Sequence, residues 1–318
     1  MRMDAIETCP EDPAARTPVP GGGAPRGSAL APHPRPRQEV TVTAPLAGVL
    51  PVRVTAARPL VCGIVNVTPD SFSDGGAFGG HEAAAGHALR LIDEGADLVD
   101  IGGESTRPGA HPPSVAEELR RVVPVLERLA RRTTVPLSVD TSRPEVMRAA
   151  VAAGARLVND VRALRYPGAL DAAAELGVPV VLTHMLRPPH LMQRGPAYTD
   201  VVVEVMRFLR ERIEVCAAAG IDREHVIVDP GFGFGKTLEH NLELLRSLPV
   251  FTGLGVPVLV GLSRKAMLGQ LTGRPVEQRG SASVTAAVLA AQRGARVVRV
   301  HDVAATRDAL DVLAAVGW

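Results

Sequence analysis

Ligand chemistry is written into this 318-residue chain by where its polar side chains fall. Short apolar runs end repeatedly on residues that carry charge or hydrogen-bond. Asn66 follows the run 60–65, and Asp100 sits in the run 98–101 ahead of Gly102-Gly103-Glu104. Asp140 follows 135–139, and Asn159-Asp160 follows 156–158. His184 lies beyond 178–182, and Asp229 follows 226–228. Gly261, then Arg264 and Lys265, follow 256–260. Arg299 lies within 296–300, just before His301-Asp302. One Asn or Asp after a strand is often only a turn residue or a helix N-cap. That explanation does not cover a set recurring at nearly every run. Brought together, Asn66, Asp140, Asn159, Asp229, Lys265, Arg299 and His301 would form a ring of amides, carboxylates and cations. Buried carboxylates are costly unless paired or hydrogen-bonded, so such a ring suits a ligand offering both N–H donors and anionic groups. His184 reads more simply as a structural histidine. His81, His87, His225 and His240 fall in helical or connecting stretches and are expected to face solvent.

The elements that would position this ring follow a regular rhythm. Eight β-branched apolar runs alternate with helical patterns at 82–94, 115–131, 145–153, 169–176, 201–219, 238–248, 281–293 and 304–315. Gly95, Gly154, Gly177, Gly220 and Gly294 stand just past helices, as helix-ending glycines do. Strand–helix alternation predicts a parallel sheet. Continuously apolar runs suit strands buried on both faces. Eight repeats favour a closed (β/α)8 barrel of the α/β class over an open sheet, and a barrel brings all the C-terminal strand ends to one face. We expect a single barrel domain over residues 40–318, with a short lead-in strand or hairpin at 40–58. Residues 1–39, dense in Pro, Gly, Ala and Arg, read as a disordered extension or as translation from an early start codon.

Two loops, Asn66-Val67-Thr68-Pro69-Asp70-Ser71-Phe72-Ser73-Asp74-Gly75-Gly76 and Gly102-Gly103-Glu104-Ser105-Thr106-Arg107-Pro108-Gly109, are too polar to pack as core. Loops of this kind at a barrel mouth close over substrate, and Arg107 suits an anion clamp. The stretch Asp229-Pro230-Gly231-Phe232-Gly233-Phe234-Gly235-Lys236-Thr237 resembles a nucleotide-binding P-loop at first sight. That pattern requires glycine where Pro230 stands, so a P-loop ATPase is excluded. Its glycines instead let the backbone pass close to a flat ligand, with Phe232 or Phe234 available for packing.

A formal net charge of +1 gives no reason to expect nucleic acid or an anionic membrane as a partner. No apolar run approaches a membrane span, and the N-terminus lacks the apolar core of a secretory signal. Cys9, Cys62 and Cys216 form no motif, and an odd count argues against a disulfide framework. A soluble cytoplasmic protein is expected.

Together these segments resemble the dihydropteroate synthase family of the pterin-binding barrel superfamily. The likeness runs from about Leu60 to Leu313. It rests on the two loops above and on Ser138-Val139-Asp140-Thr141, Asn159-Asp160, His184-Met185, the stretch 229–236, Ser263-Arg264-Lys265 and Arg299-Val300-His301-Asp302. The resemblance implies condensation of a pterin pyrophosphate with p-aminobenzoate, in a cytoplasmic homodimer of the kind that sulfonamides target. By the same token Asp140, Asn159, Asp229 and Lys265 would hydrogen-bond the pterin, with Met185 and Phe234 packed beside it. Asn66 would reach Mg2+ on the pyrophosphate, and Thr106, Arg107, Arg299 and His301 would hold or cover that group. Phe72 and Pro108 would help to build the p-aminobenzoate pocket. Asp140, Asp229, Lys265 and Arg299 would carry the catalysis. Two departures stand out: Ala266 where the family has Ser after Ser-Arg-Lys, and Leu186-Arg187-Pro188-Pro189 after His184-Met185. Two other readings differ in class. A pterin- or folate-binding methyltransferase barrel would need neither Arg299 and His301 nor the paired loops. A non-catalytic paralogue would keep the barrel without turnover.

Overall fold

A computed structural model describes residues 58–67, 76–104, 112–186 and 198–317, with only the backbone at 76–79. The segment 1–39, almost all of the lead-in 40–58, and Phe72, Thr106, Arg107 and Pro108 lie outside the described residues.

Eight parallel strands make one sheet: β1 Leu60–Asn66, β2 Leu98–Gly102, β3 Leu137–Asp140, β4 Leu157–Asp160, β5 Val180–Thr183, β6 Val226–Asp229, β7 Leu259–Val260 and β8 Val297–Val300. Their order is β6-β5-β4-β3-β2-β1-β8-β7, and a parallel bridge between Val228 and Val258 joins its two ends. This is the expected (β/α)8 barrel. The helices that follow the strands are α1 Gly76–Asp93, α2 Val115–Ala130, α3 Pro144–Ala152, α4 Ala169–Leu176, α5 Val201–Ala218, α6 Leu238–Arg246, α7 Leu248–Thr252, α8 Ala266–Thr272, α9 Gly280–Gln292 and α10 Val303–Val316.

Two systematic differences from the sequence-based boundaries have simple causes. Strands β3, β5 and β7 begin later than expected because a proline precedes each. Pro136, Pro179 and Pro257 have no N–H to give, so they enter the ladder only as acceptors, from Val99, Val158 and Val228. At the other end, four of the strands run on to include the polar residues that seemed to terminate them: Asn66, Asp140, Asn159 with Asp160, and Asp229. Those side chains therefore obey the two-residue alternation of a strand. The helix expected over 238–248 breaks at Ser247, two residues before Pro249, into α6 and α7.

That alternation divides the core in two. Val61, Val65, Val99, Ile101, Val139, Val158, Val228 and Val298 face outward and pack under the helices. Leu60, Cys62, Leu98, Leu157, Val181, Ile227, Leu259 and Val297 face inward and form a separate apolar plug inside the barrel. One step further along each strand, the same inward parity places Asp100, Ser138, Asn159, Asp229, Gly261 and Arg299 on top of that plug.

Candidate active site

The inward residues above the plug converge because strand register aligns them. Asn66 pairs with Gly102, Gly102 with Asp140, and Asp140 with Asn159. Arg299 pairs with Cys62 on the other side of β1. Asp140, Asn159 and Asp229 are all buried, exposed by less than a tenth. Arg299 donates from Nε to Asp100 Oδ2 at 2.6 Å and from Nη2 to Asp140 Oδ2 at 3.0 Å. Asn159 donates from Nδ2 to the same Asp100 oxygen at 2.9 Å. Burial disfavours the charge on Arg299, but Asp100 and Asp140 outweigh it and hold the guanidinium firmly protonated.

Asp229 and Lys265 form the other half of the site. Asp229 Oδ1 accepts from the Gly231 amide at 2.7 Å, which leaves its remaining lone pairs for a ligand. Lys265, the residue before α8, donates to the Phe232 carbonyl and lies 4.6 Å from the centre of the Phe234 ring. Missing side chains keep this space open. A Cβ on Gly261 would stand 3.9 Å from Arg299 Cβ and 4.0 Å from Lys265 Nζ, and one on Gly233 would come within 3.2 Å of Lys265 Cδ.

Burial sets the protonation of this cluster. It pushes Asp140 up to about 8, with Arg299 acting against the shift and Asp100, Glu104 and Asp160 adding to it. It raises Asp229 as well, opposed chiefly by Lys265 and the Gly231 amide. It brings Lys265 down to about 8, opposed by Asp229 and assisted by Arg299. Lys265 is thus a full donor below about pH 8 and loses its charge above it. The part of ligand affinity that depends on this donor is therefore expected to fall as pH rises through about 8, and because Asp140 ionises in the same range it is read as the difference between wild type and Lys265→Arg. Lys265→Arg should remove that decline, because a guanidinium stays protonated throughout. Titration calorimetry from about pH 6.5 to 9.5, spanning that value, checks this, and a decline of equal size in Lys265→Arg would refute it.

At the rim, His301 Nδ1 lies 2.9 Å from Ser263 Oγ, which also accepts from the His301 amide at 3.2 Å. Arg264 adopts a positive φ of 58° and pairs with Asp302 at 2.6 Å, turning its side chain away from Lys265. Asn66 is half-buried at the end of β1. Met185 is buried just beyond β5, and its carbonyl accepts from Arg165 at 2.8 Å. Ala266 opens α8 with its side chain exposed, bordering a cavity of about 550 Å³ that Gly233, Met267 and Gln270 also line.

Several residues behave differently from their sequence reading. Asp160 shares the outward parity of Val158. It accepts from Ser142 Oγ and from the amides of Arg162 and Leu164, so it secures the turn after β4 and stays out of the site. His184 is structural, as expected. Burial and Lys236 lower its pKa to about 2, and its Nδ1 takes a bond from Lys236 Nζ at 3.0 Å. Lys236 is itself buried and donates to the carbonyls of Gly231 at 2.7 Å and Phe234 at 3.2 Å. It thereby binds the glycine loop to the end of β5. Phe232 belongs to the core, which leaves Phe234 as the aromatic beside the site. His240 is half-buried rather than solvent-facing: it closes a capping box with Thr237 and packs its ring 5.0 Å from that of Tyr198. The ring expected from sequence omits Asp100, which the structure places at its centre. The pattern that could have found it is the alternation of Leu98, Asp100 and Gly102 with outward Val99 and Ile101.

The barrel fold agrees with what comparison with known proteins finds. A family model described as pterin binding enzyme matches residues 62–301. The dihydropteroate synthase of Escherichia coli strain K12 is 52% identical over 259 residues, covering 81% of this chain and 92% of that protein. A Xanthomonas albilineans dihydropteroate synthase structure with 4-aminobenzoic acid is 63% identical with a TM-score of 0.78, covering 81% of this chain and 93% of that one. A structure of the X. albilineans enzyme in complex with 7,8-dihydropteroate superimposes with a TM-score of 0.75 at 61% identity, covering 81% and 94% of the two chains. The chain belongs to the pterin binding enzyme family.

Proposed function

We infer that the protein is a transferase that joins 6-hydroxymethyl-7,8-dihydropterin pyrophosphate to p-aminobenzoate, giving 7,8-dihydropteroate and pyrophosphate. The observation that carries this reading is the convergence of Asp140, Asn159, Asp229, Lys265 and Arg299 on one barrel floor. A pterin ring presents several N–H donors and a few acceptors along its edges. The floor offers carboxylate and amide oxygens with one ammonium, so the two patterns are complementary.

In the reaction the bond from the pterin methylene carbon to the diphosphate oxygen breaks, and pyrophosphate leaves with the electron pair. The bond that forms joins the same carbon to the arylamine nitrogen, whose surplus proton passes to solvent. If cleavage leads, positive charge grows on the pterin. Asp140 and Asp229 lie where they would stabilise that charge, and fixed anchors on strands do so without reorganising. His301 stands at the rim and Arg299 one inward step below it on β8, on the side where negative charge would collect on the leaving group. No protein nucleophile is needed. The two loops after β1 and β2, expected from sequence to close over substrate, lie largely outside the described residues.

Mg2+ fits this site only as a companion of the diphosphate. Among the described residues no group of three or more His, Cys, Asp or Glu is placed to hold a metal ion. Asn66 offers one oxygen at the strand end. Mg2+ keeps several waters and readily takes phosphate oxygens, so one protein ligand is sufficient. Bound there, it would neutralise charge on the leaving group.

The test is release of inorganic pyrophosphate on mixing both substrates with Mg2+. Release that depends on p-aminobenzoate is expected. Absence of release would indicate a non-catalytic paralogue, and methyl transfer instead would indicate the methyltransferase reading.

A further inference from the structure

Asp100 is the most deeply buried charge in the site, 1% exposed, and no step of the proposed reaction uses it. Its two oxygens are treated unequally. Oδ2 accepts both Arg299 Nε at 2.6 Å and Asn159 Nδ2 at 2.9 Å. Oδ1 is buried without a hydrogen-bond partner, as is Oγ of Ser138, its neighbour in register on β3. Hydrophobic residues at this level would pack better than a half-satisfied carboxylate. The bonds to Oδ2 are therefore what the position provides.

Those bonds bear on recognition. An Asn amide has a donor end and an acceptor end. With Nδ2 held by a carboxylate, the reversed orientation would set oxygen against oxygen. Oδ1 of Asn159 is thus the end offered to a ligand. The same Asp100 oxygen fixes Arg299, whose Nη2 then reaches Asp140 at 3.0 Å. One buried carboxylate orders a donor-reading amide and a cation together.

We propose that Asp100 is a positioning residue for pterin binding, setting the Asn159 amide to read a ring N–H donor and holding Arg299 beside Asp140. This rests on the function proposed above. Asp100→Asn keeps the size of the side chain but gives position 100 a donor of its own, so the Asn159 amide is no longer held in one orientation. The KM for pterin pyrophosphate should rise about 10- to 100-fold, as expected for loss of one or two charge-assisted hydrogen bonds. The KM for p-aminobenzoate should stay within about twofold, while the thermal midpoint should fall, because Arg299 keeps only Asp140 as its carboxylate partner. Asn159→Asp alone opposes two carboxylates and should also weaken pterin binding. The double variant Asp100→Asn/Asn159→Asp restores a donor–acceptor pair with an oxygen still facing the ligand, and should recover at least about tenfold over the worse single variant.

Steady-state kinetics and calorimetry with pterin pyrophosphate read these outcomes. An unchanged pterin KM in Asp100→Asn, equal losses for both substrates, or no recovery in the double variant would each overturn the proposal. Should Asp100→Asn not fold, Asp100→Ser, whose shorter side chain withdraws the acceptor from both Asn159 and Arg299, is expected to show the same split between substrates. Wild-type protein that releases no pyrophosphate fails the function itself. Wild-type turnover with an indifferent Asp100→Asn fails only this inference.

Discussion

Replacing Asp229 by Ala is expected to lower affinity for pterin pyrophosphate by roughly 10²- to 10⁴-fold. The lost contacts are charge-assisted and desolvated, and each such bond is worth about 1.5–3 kcal/mol. A second effect acts in the same direction. Asp229 is the main group favouring the charge on Lys265, whose pKa burial already brings down to about 8. Without that carboxylate the lysine loses its proton nearer to neutral pH, and the site gives up a donor along with an acceptor. Asp229→Asn separates ligand pairing from loop anchoring. Its side-chain oxygen can still accept from the Gly231 amide, a bond of 2.7 Å in the wild type. The Asn variant should therefore keep wild-type stability while binding pterin poorly. Isothermal titration of both variants measures this, and an affinity within about threefold of wild type for Asp229→Ala would dispose of the pterin floor as described.

The largest effect on stability is expected at Gly231. Its φ is +72°, and a Cβ there would meet the His184 carbonyl oxygen at 1.8 Å. The left-handed conformation alone costs a non-glycine residue about 1–2 kcal/mol. The contact is with backbone, so no rotamer change relieves it. His184 is also fixed from the other side, since its amide donates to the Asp229 carbonyl at 2.9 Å. Gly231→Ala should cost more than about 3 kcal/mol and lower the melting temperature by on the order of 10 °C. Gly177→Ala is the control. It also has a positive φ, of 61°, but nothing lies within 4 Å of its Cβ. It should cost only the conformational term. Equal shifts in the two variants, read by calorimetry, would show that the close approach to His184 has no energetic weight.

The recurrence of polar residues at the ends of apolar runs was legible along the chain, because strand parity and strand–helix alternation are local patterns. So were the eight repeats and the failure of the P-loop spacing at Pro230. Strand starts were misjudged where Pro136, Pro179 and Pro257 removed a donor from the ladder. That chemistry was also visible in advance. His240 was misjudged for a different reason. Its capping bond to Thr237 is local, but the Tyr198 ring that covers it is distant in sequence.

Periodicity determines which side of a strand a residue occupies, but not which residue of another strand it will meet. The pairing of Asp100 with Arg299 joins positions 199 residues apart and exists only because β1 lies between β2 and β8 in the closed sheet. Adjacent Asn159 and Asp160 look alike as a pair of polar residues, yet one faces the ligand floor and the other secures a turn. Lys236 looked like half of a nucleotide motif, and only its enclosure by the carbonyls of Gly231 and Phe234 and by His184 makes it a structural anchor. Sequence by itself determined the barrel and the residue types at its mouth. Closure of the barrel decided their partners, their burial and hence their protonation, because those depend on distances across space that no local pattern encodes.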